Sequence, residues 1–169
     1  MITGPGGFLY NELNMEDSDD LLFLLGSPTH NDKIKLDEYV SSTKNLVQNN
    51  LDKYIVFAST AYIEHSDDDY NKSKRELELF IEQNCVNYLI LKIGDIISKD
   101  LTKVKKMKLN RTQQQILQND LTDISIKGSY LDLEQFVKET KEIITNKKTG
   151  IHHFNLIELS LTDLIRYAN

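Results

Sequence analysis

Tyr54-Ile55-Val56-Phe57-Ala58-Ser59-Thr60, followed by Tyr70-Asn71-Lys72-Ser73-Lys74-Arg75-Glu76-Leu77-Glu78-Leu79-Phe80, decides how this chain folds. The first segment is an apolar run ending in two hydroxyl residues, the pattern of a strand buried on both faces. The second predicts a helix over Asn71–Gln83, entered through Asp67-Asp68-Asp69. Carboxylates favour a helix N-terminus, so a solvated acidic loop explains these three better than a cation site does. On that helix residues i and i+4 share a face, and the Tyr70 phenol and Lys74 ammonium point the same way. An ammonium beside a phenol favours the phenolate, which suits a tyrosine to acid–base work near neutral pH. Thr60, at the strand's end, is placed to hydrogen-bond the same substrate oxygen.

Outward from this unit the elements alternate. Strands are expected near Leu21–Leu25, Tyr54–Ala58 and Tyr88–Ile93, with helices near Leu36–Asn49 and Asn71–Gln83. Apolar runs separated by helices argue for a parallel α/β sheet. At the start, Met1-Ile2-Thr3-Gly4-Pro5-Gly6-Gly7-Phe8-Leu9 runs into a helical spacing of Leu9 and Leu13. A short apolar start, a glycine turn and a helix make a phosphate cradle. Alone, the same residues read equally as a Gly-Pro loop at a frayed terminus. Beyond Ser98 the pattern loosens: helices at Arg111–Asn119 and Leu133–Thr145, a short strand around His153–Leu156, and a last helix Leu161–Tyr167 capped by Ser160. The organisation expected is one compact unit, with a Rossmann-like region over residues 1–98 and a small C-terminal lobe over 99–169.

In order along the chain, these segments resemble the extended short-chain dehydrogenase/reductase family, the NAD(P)-dependent sugar-nucleotide epimerases and dehydratases. Thr3-Gly4-Pro5-Gly6-Gly7-Phe8-Leu9 is similar to the family's opening Thr-Gly-x-x-Gly-Phe-Leu, and Phe57-Ala58-Ser59-Thr60-Ala61 to its Phe-Ser-Ser-Ser/Thr-Ala. Leu21–Ser27 sits at the fourth strand, and Ser42-Thr43-Lys44-Asn45-Leu46 resembles Gly-Thr-x-Asn-Leu of the next helix. Tyr88–Asp95 resembles the sixth strand with its Leu-Arg-x-x-Asn ending. Ser129–Phe136 and Gly150–Leu156 resemble two C-terminal segments. The resemblance implies a reduced Rossmann-like parallel sheet with flanking helices. It also implies a catalytic set of Thr60, Tyr70 and Lys74, with NAD or NADP held by Gly4, Gly6, Gly7, Phe8 and Lys74. A nucleotide-sugar substrate would meet Asp95, Lys105 and Lys106.

The departures are equally specific. Only Asn14–Asp20 separates the first helix from the next strand, too short for the βαβ unit that carries the family's second and third strands. Those strands ordinarily supply the acidic residue for the adenosine ribose. Tyr10 stands at the third glycine position, Lys92 at the Arg and Asp95 at the Asn of the sixth-strand motif, and Tyr39 where a helix Asn is usual. The sequence therefore reads as a shortened and partly degenerate relative, its catalytic half kept and its adenosine half deleted.

Composition bounds the rest. A chain of 169 residues is long enough for a substantial core. A formal net charge of -6 argues against general nucleic-acid affinity. No apolar run approaches the ~20 residues of a membrane span, and no segment has the build of a signal peptide. Cys85, the single cysteine, has no basic sequence neighbour, reads as a buried or helix-end thiol and suits the cytoplasm. His30, His65, His152 and His153 lack metal-ligand spacing, and no metal is expected. Lys99, Lys103, Lys105, Lys106, Lys108 and Arg111 form either a diphosphate-capturing cluster or, somewhat more simply, a solvated lysine face. Two functions follow: an enzyme acting on a nucleotide-activated sugar, or a non-catalytic relative serving as a binding or regulatory module, as a homodimer or paired with a full-length relative.

Overall fold

A computed structural model describes residues 8–15, 19–26, 32–64, 66–99, 127–160, 163 and 167. The short apolar start Met1–Thr3, the expected helix Arg111–Asn119, Gly4, Gly6 and Gly7, and the lysine cluster beyond Lys99 lie outside the described residues. The chain divides into two compact units, Met1–Ile93 with Lys141–His153, and Gly94–Thr140 with Phe154–Asn169.

The first unit is built on a four-stranded, wholly parallel sheet. Its strands are β1 (Leu21–Leu24), β2 (Tyr54–Thr60), β3 (Tyr88–Ile93) and β6 (Gly150–His153), in spatial order β1-β2-β3-β6. Helix α1 (Phe8–Leu13) precedes β1, α2 (Lys33–Gln48) links β1 to β2, and α3 (Asp69–Asn84) links β2 to β3. Parallel strands need such crossovers, because a tight turn cannot return the chain to the same end of the sheet. Among the described residues no strand lies between α1 and β1.

Both crossover helices start on an aspartate. Asp32 accepts from the Lys35 amide at 3.2 Å, and Asp68 accepts from the Asn71 amide at 2.7 Å; each fills an orphan donor of the first turn. Leu36, Val40, Thr43 and Val47 form the buried stripe of α2. Val40 and Val47, with Leu77, Ile81 and Cys85 from α3, pack in one core with Leu22, Leu24, Ile55, Phe57 and Ile90 of the sheet. Cys85 is the C-cap of α3 and buried, and its thiol pKa is raised by that burial. Register carries the same face on to Ser59 opposite Lys92, because Phe57 lies opposite Ile90 and alternate residues share a side. The stripe of α3 changes character in step: Leu77 and Ile81 give way, towards the N-terminus, to Lys74, Ser73 and Asn71. An apolar core thus turns polar toward the C-terminal ends of the strands.

The second unit holds a separate three-stranded sheet of β4 (Asp95–Ile97), β5 (Lys127–Asp132) and β7 (Ile157–Ser160). Here β4 and β5 are parallel, while β5 and β7 are antiparallel. Strands of three and four residues carry too little periodicity to register in the sequence. Helix α4 (Leu133–Thr145) follows β5 directly, with its expected bounds. The strand expected around His153–Leu156 is corrected to two strands flanking that segment. Pairing with β3 runs from Gly150 to His153. The chain then leaves the ladder so that Phe154 can bury against Phe136, ring centroids 5.4 Å apart. Ser160 Oγ accepts from the Asp163 amide at 3.2 Å and donates to Asp163 Oδ2 at 2.6 Å, while the expected helix Leu161–Tyr167 lies, apart from Asp163 and Tyr167, outside the described residues.

Candidate active site

Lys74 is the centre of the polar end of the first unit. It sits at the middle of the first half of α3, 2% exposed, and its ammonium points to the sheet. Nζ donates to the Ala58 carbonyl at 2.8 Å and to the phenolic oxygen of Tyr39 at 3.1 Å. Three aromatic rings frame the same nitrogen: Phe57 at 4.8 Å, Tyr39 at 5.2 Å and Tyr70 at 5.6 Å from Nζ to centroid. Ring faces attract a cation at such distances. Burial nonetheless pulls the Lys74 pKa down to about 7, with the charge of Glu78 acting in the opposite sense. The amine therefore changes charge in the neutral range.

Tyr70 and Lys74 come together as their spacing requires, with Tyr70 half-buried in the first turn of α3. Thr60 ends β2, two residues beyond the carbonyl that Lys74 grips, and its Oγ accepts from the Tyr62 amide at 3.1 Å. This turn holds the hydroxyl at the strand's C-terminal end. Tyr39 packs against the pair from α2. Burial raises its phenol well above the ordinary range, Tyr70 adds to the effect, and a hydrogen bond with Thr43 works against it. Tyr39 is thus a neutral phenol at any physiological pH, an acceptor for Lys74 rather than a base.

One helical turn beyond Lys74, Glu78 is buried and bound by Lys92 of β3, whose Nζ lies 2.6 Å from both carboxylate oxygens. Ser59, opposite Lys92 in the sheet, is 5% exposed, and its hydroxyl has no hydrogen-bond partner among the described residues. The cluster thus runs Tyr70, Tyr39, Lys74, Glu78, Lys92. Sequence reasoning marked Tyr39 and Lys92 only as departures from a motif and passed over Glu78. The signals were there: Glu78 follows Tyr70 and Lys74 at successive four-residue steps, and Lys92 is a lone charge inside an apolar strand. A charge so placed needs a partner.

Of the remaining candidates, Phe8 opens α1. Asp95 is exposed and opens β4 of the second unit, opposite Tyr130 of β5. Lys105 and Lys106 lie outside the described residues. At the entrance of α3, Asp67 pairs with Arg75 at 2.5 Å, in keeping with a solvated acidic loop.

No protein-family model and no curated protein matches this sequence. Solved structures do. A dTDP-4-dehydrorhamnose reductase from Bacillus anthracis, crystallised in complex with NADP, is similar with a TM-score of 0.65 and 16% identity; the match covers 88% of this chain and 62% of that one. A dTDP-4-dehydrorhamnose reductase ortholog from Clostridium acetobutylicum gives 0.69 at 15% identity, covering 98% and 78%. The UDP-N-acetylglucosamine 4-epimerase from Bacillus cereus gives 0.63 at 14%, covering 92% and 62%. This chain has their fold. It is an α/β, Rossmann-like fold whose structural neighbours include dTDP-4-dehydrorhamnose reductases and a UDP-N-acetylglucosamine 4-epimerase. The chain spans 62% of the length of the first and third of these proteins and 78% of the second.

Proposed function

We propose that this protein is a relative of the extended short-chain dehydrogenases that handles a proton at the hydroxyl or carbonyl of a nucleotide-activated sugar, with NAD or NADP as the hydride carrier. One observation carries the reading: a buried lysine that titrates near neutrality lies beside the ring of Tyr70, at the C-terminal end of a parallel sheet. Open α/β sheets take their ligands at that end. In this account Tyr70 exchanges a proton with the substrate oxygen, Thr60 orients that oxygen, and Lys74 supplies the positive charge that eases proton loss from Tyr70.

The residues present fit a nicotinamide cofactor in part. Lys74 has three N–H donors, and Ala58 and Tyr39 take two of them; the third suits a ribose hydroxyl. Gly4, Gly6, Gly7 and Phe8 would approach the diphosphate, and the cofactor, when bound, supplies the hydride chemistry. Asp95, Lys105 and Lys106 are proposed for the substrate side, within the C-terminal region 99–169 and its approach. Support for the substrate class comes from the neighbours' names, and for the cofactor from the NADP in one of them.

A second reading has its own observation. The described residues between α1 and β1 hold no strand that grips an adenosine ribose, which favours a binding or regulatory module, as a homodimer or paired with a full-length relative. Cytoplasmic residence suits either reading; among the described residues no helix is long and apolar enough to cross a membrane. The experiment is a cofactor-oxidation assay of the purified chain with NADH or NADPH and dTDP- and UDP-activated keto sugars. Turnover lost in Tyr70→Phe supports the enzyme, and cofactor binding with no turnover on any of them supports the module.

A further inference from the structure

We propose that Glu78 and Lys92 are positioning residues for Lys74: a carboxylate set one helical turn beyond the amine, and held there by a strand lysine, that favours the protonated form of Lys74 against its burial. The inference rests on the reading of Tyr70 and Lys74 as the proton-handling pair.

Geometry comes first. Tyr70, Lys74 and Glu78 stand at i, i+4 and i+8 of α3, so all three lie along one face of the helix. Lys92 reaches Glu78 from β3 and takes both of its oxygens at 2.6 Å, which leaves the carboxylate little freedom to turn away. Among the described residues the groups around Lys74 are few. Helix α3 contributes Tyr70 and Glu78, α2 contributes Tyr39 with Thr43 behind it, β2 the Ala58 carbonyl and the Phe57 ring, and β3 contributes Lys92 by way of Glu78. Tyr39 and Ala58 are neutral acceptors. Glu78 is the carboxylate that acts on the amine.

Energetics point the same way. A buried ion pair recovers little more than its own desolvation cost, and apolar side chains of similar volume often serve stability as well or better. Core cohesion alone therefore does not call for a Glu–Lys pair at this depth. Regulation of the neighbouring amine does. The pair is electrically balanced, so the Lys92 ammonium partly offsets the Glu78 carboxylate that acts on Lys74. Removing Glu78 leaves the Lys92 charge uncompensated, and like charges disfavour each other's ionisation.

The test follows the Nζ and Cε resonances of Lys74 by NMR across pH 5–10 in the full chain, without nucleotide, assigned by their loss in Lys74→Met. Glu78→Gln should lower the Lys74 midpoint by about one pH unit or more. Lys92→Arg, which keeps the charge and can still bind both carboxylate oxygens, should leave it unchanged. In Glu78→Gln/Lys92→Met both charges go, and the midpoint should return partway while staying below wild type. An unmoved midpoint in folded Glu78→Gln overturns the proposal. Where Glu78→Gln does not fold, the double variant decides, and a wild-type midpoint there overturns it equally. Failure of the enzyme reading is a separate result: Tyr70→Phe retaining full turnover would remove Tyr70 from catalysis and leave the Lys74 titration as it is.

Discussion

The ammonium of Lys74 donates to the phenolic oxygen of Tyr39 at 3.1 Å, joining α3 to α2 through two side chains at the polar end of a hydrophobic core. The family that the sequence resembles has an asparagine at the position of Tyr39. Here a phenol stands there, accepts from Lys74 and adds its ring to the wall around the amine.

Tyr39→Phe keeps the ring and removes the acceptor. A buried donor left without its partner costs about 1–3 kcal/mol, and more when charged. Urea denaturation should therefore show a loss of roughly that size at pH 6, where Lys74 is protonated, and a smaller one at pH 9, where the amine is neutral. Equal losses at the two pH values would separate Tyr39 from the charge state of Lys74.

Lys74 also sets a pH dependence of folding. Its folded pKa, about 7, lies below the ordinary 10.5. Between those values the unfolded chain binds a proton that the folded chain does not, so stability rises with pH through this window. The cost of burying the charge is fully present below about pH 7 and is relieved as pH climbs toward 10.5. Above pH 10 the sign reverses. Tyr54, raised to about 12 by burial, and Tyr39, raised further, then hold protons that the unfolded chain releases. Denaturation of Lys74→Met across pH 6–10 should show a flatter profile than wild type, by on the order of a few kcal/mol at about 1.4 kcal/mol per unit.

The pair Glu78–Lys92 gives a third expectation. Lys92→Met strands a buried carboxylate and should cost about 3–5 kcal/mol in urea denaturation, whereas Glu78→Leu/Lys92→Met should recover most of that loss. A double variant as unstable as the single one would mean that the pair contributes packing that apolar groups cannot replace.

How much of this was readable from the residues differs by element. Strands β1, β2 and β3 are short, apolar and bounded by turns, and α4 is strongly amphipathic, so their positions follow from local pattern. Tyr70 and Lys74 were legible because a helix fixes the relation of i to i+4. The partners that define the lysine's chemistry were not legible, because they arrive from other elements. Tyr39 lies on α2, Ala58 on β2, and Lys92 meets Glu78 only once β2 and β3 pair with Ser59 opposite Lys92. The second sheet escaped for another reason. Its strands β4 and β7 have three and four residues, and β7 pairs antiparallel to β5 from far along the chain.

The proposed function makes Lys74 and its surroundings a dinucleotide site without the grip of an adenosine pocket. The direct measurement is a fluorescence titration of the purified chain with NADH and NADPH, repeated on Lys74→Met. Missing polar partners cost affinity at about 1.4 kcal/mol per tenfold, so wild type should bind both reduced cofactors weakly, above micromolar, with little preference between them. Lys74→Met should weaken that binding by about tenfold or more. Submicromolar binding would contradict the account by showing that another segment has replaced the adenosine pocket, and so would binding that Lys74→Met leaves unchanged.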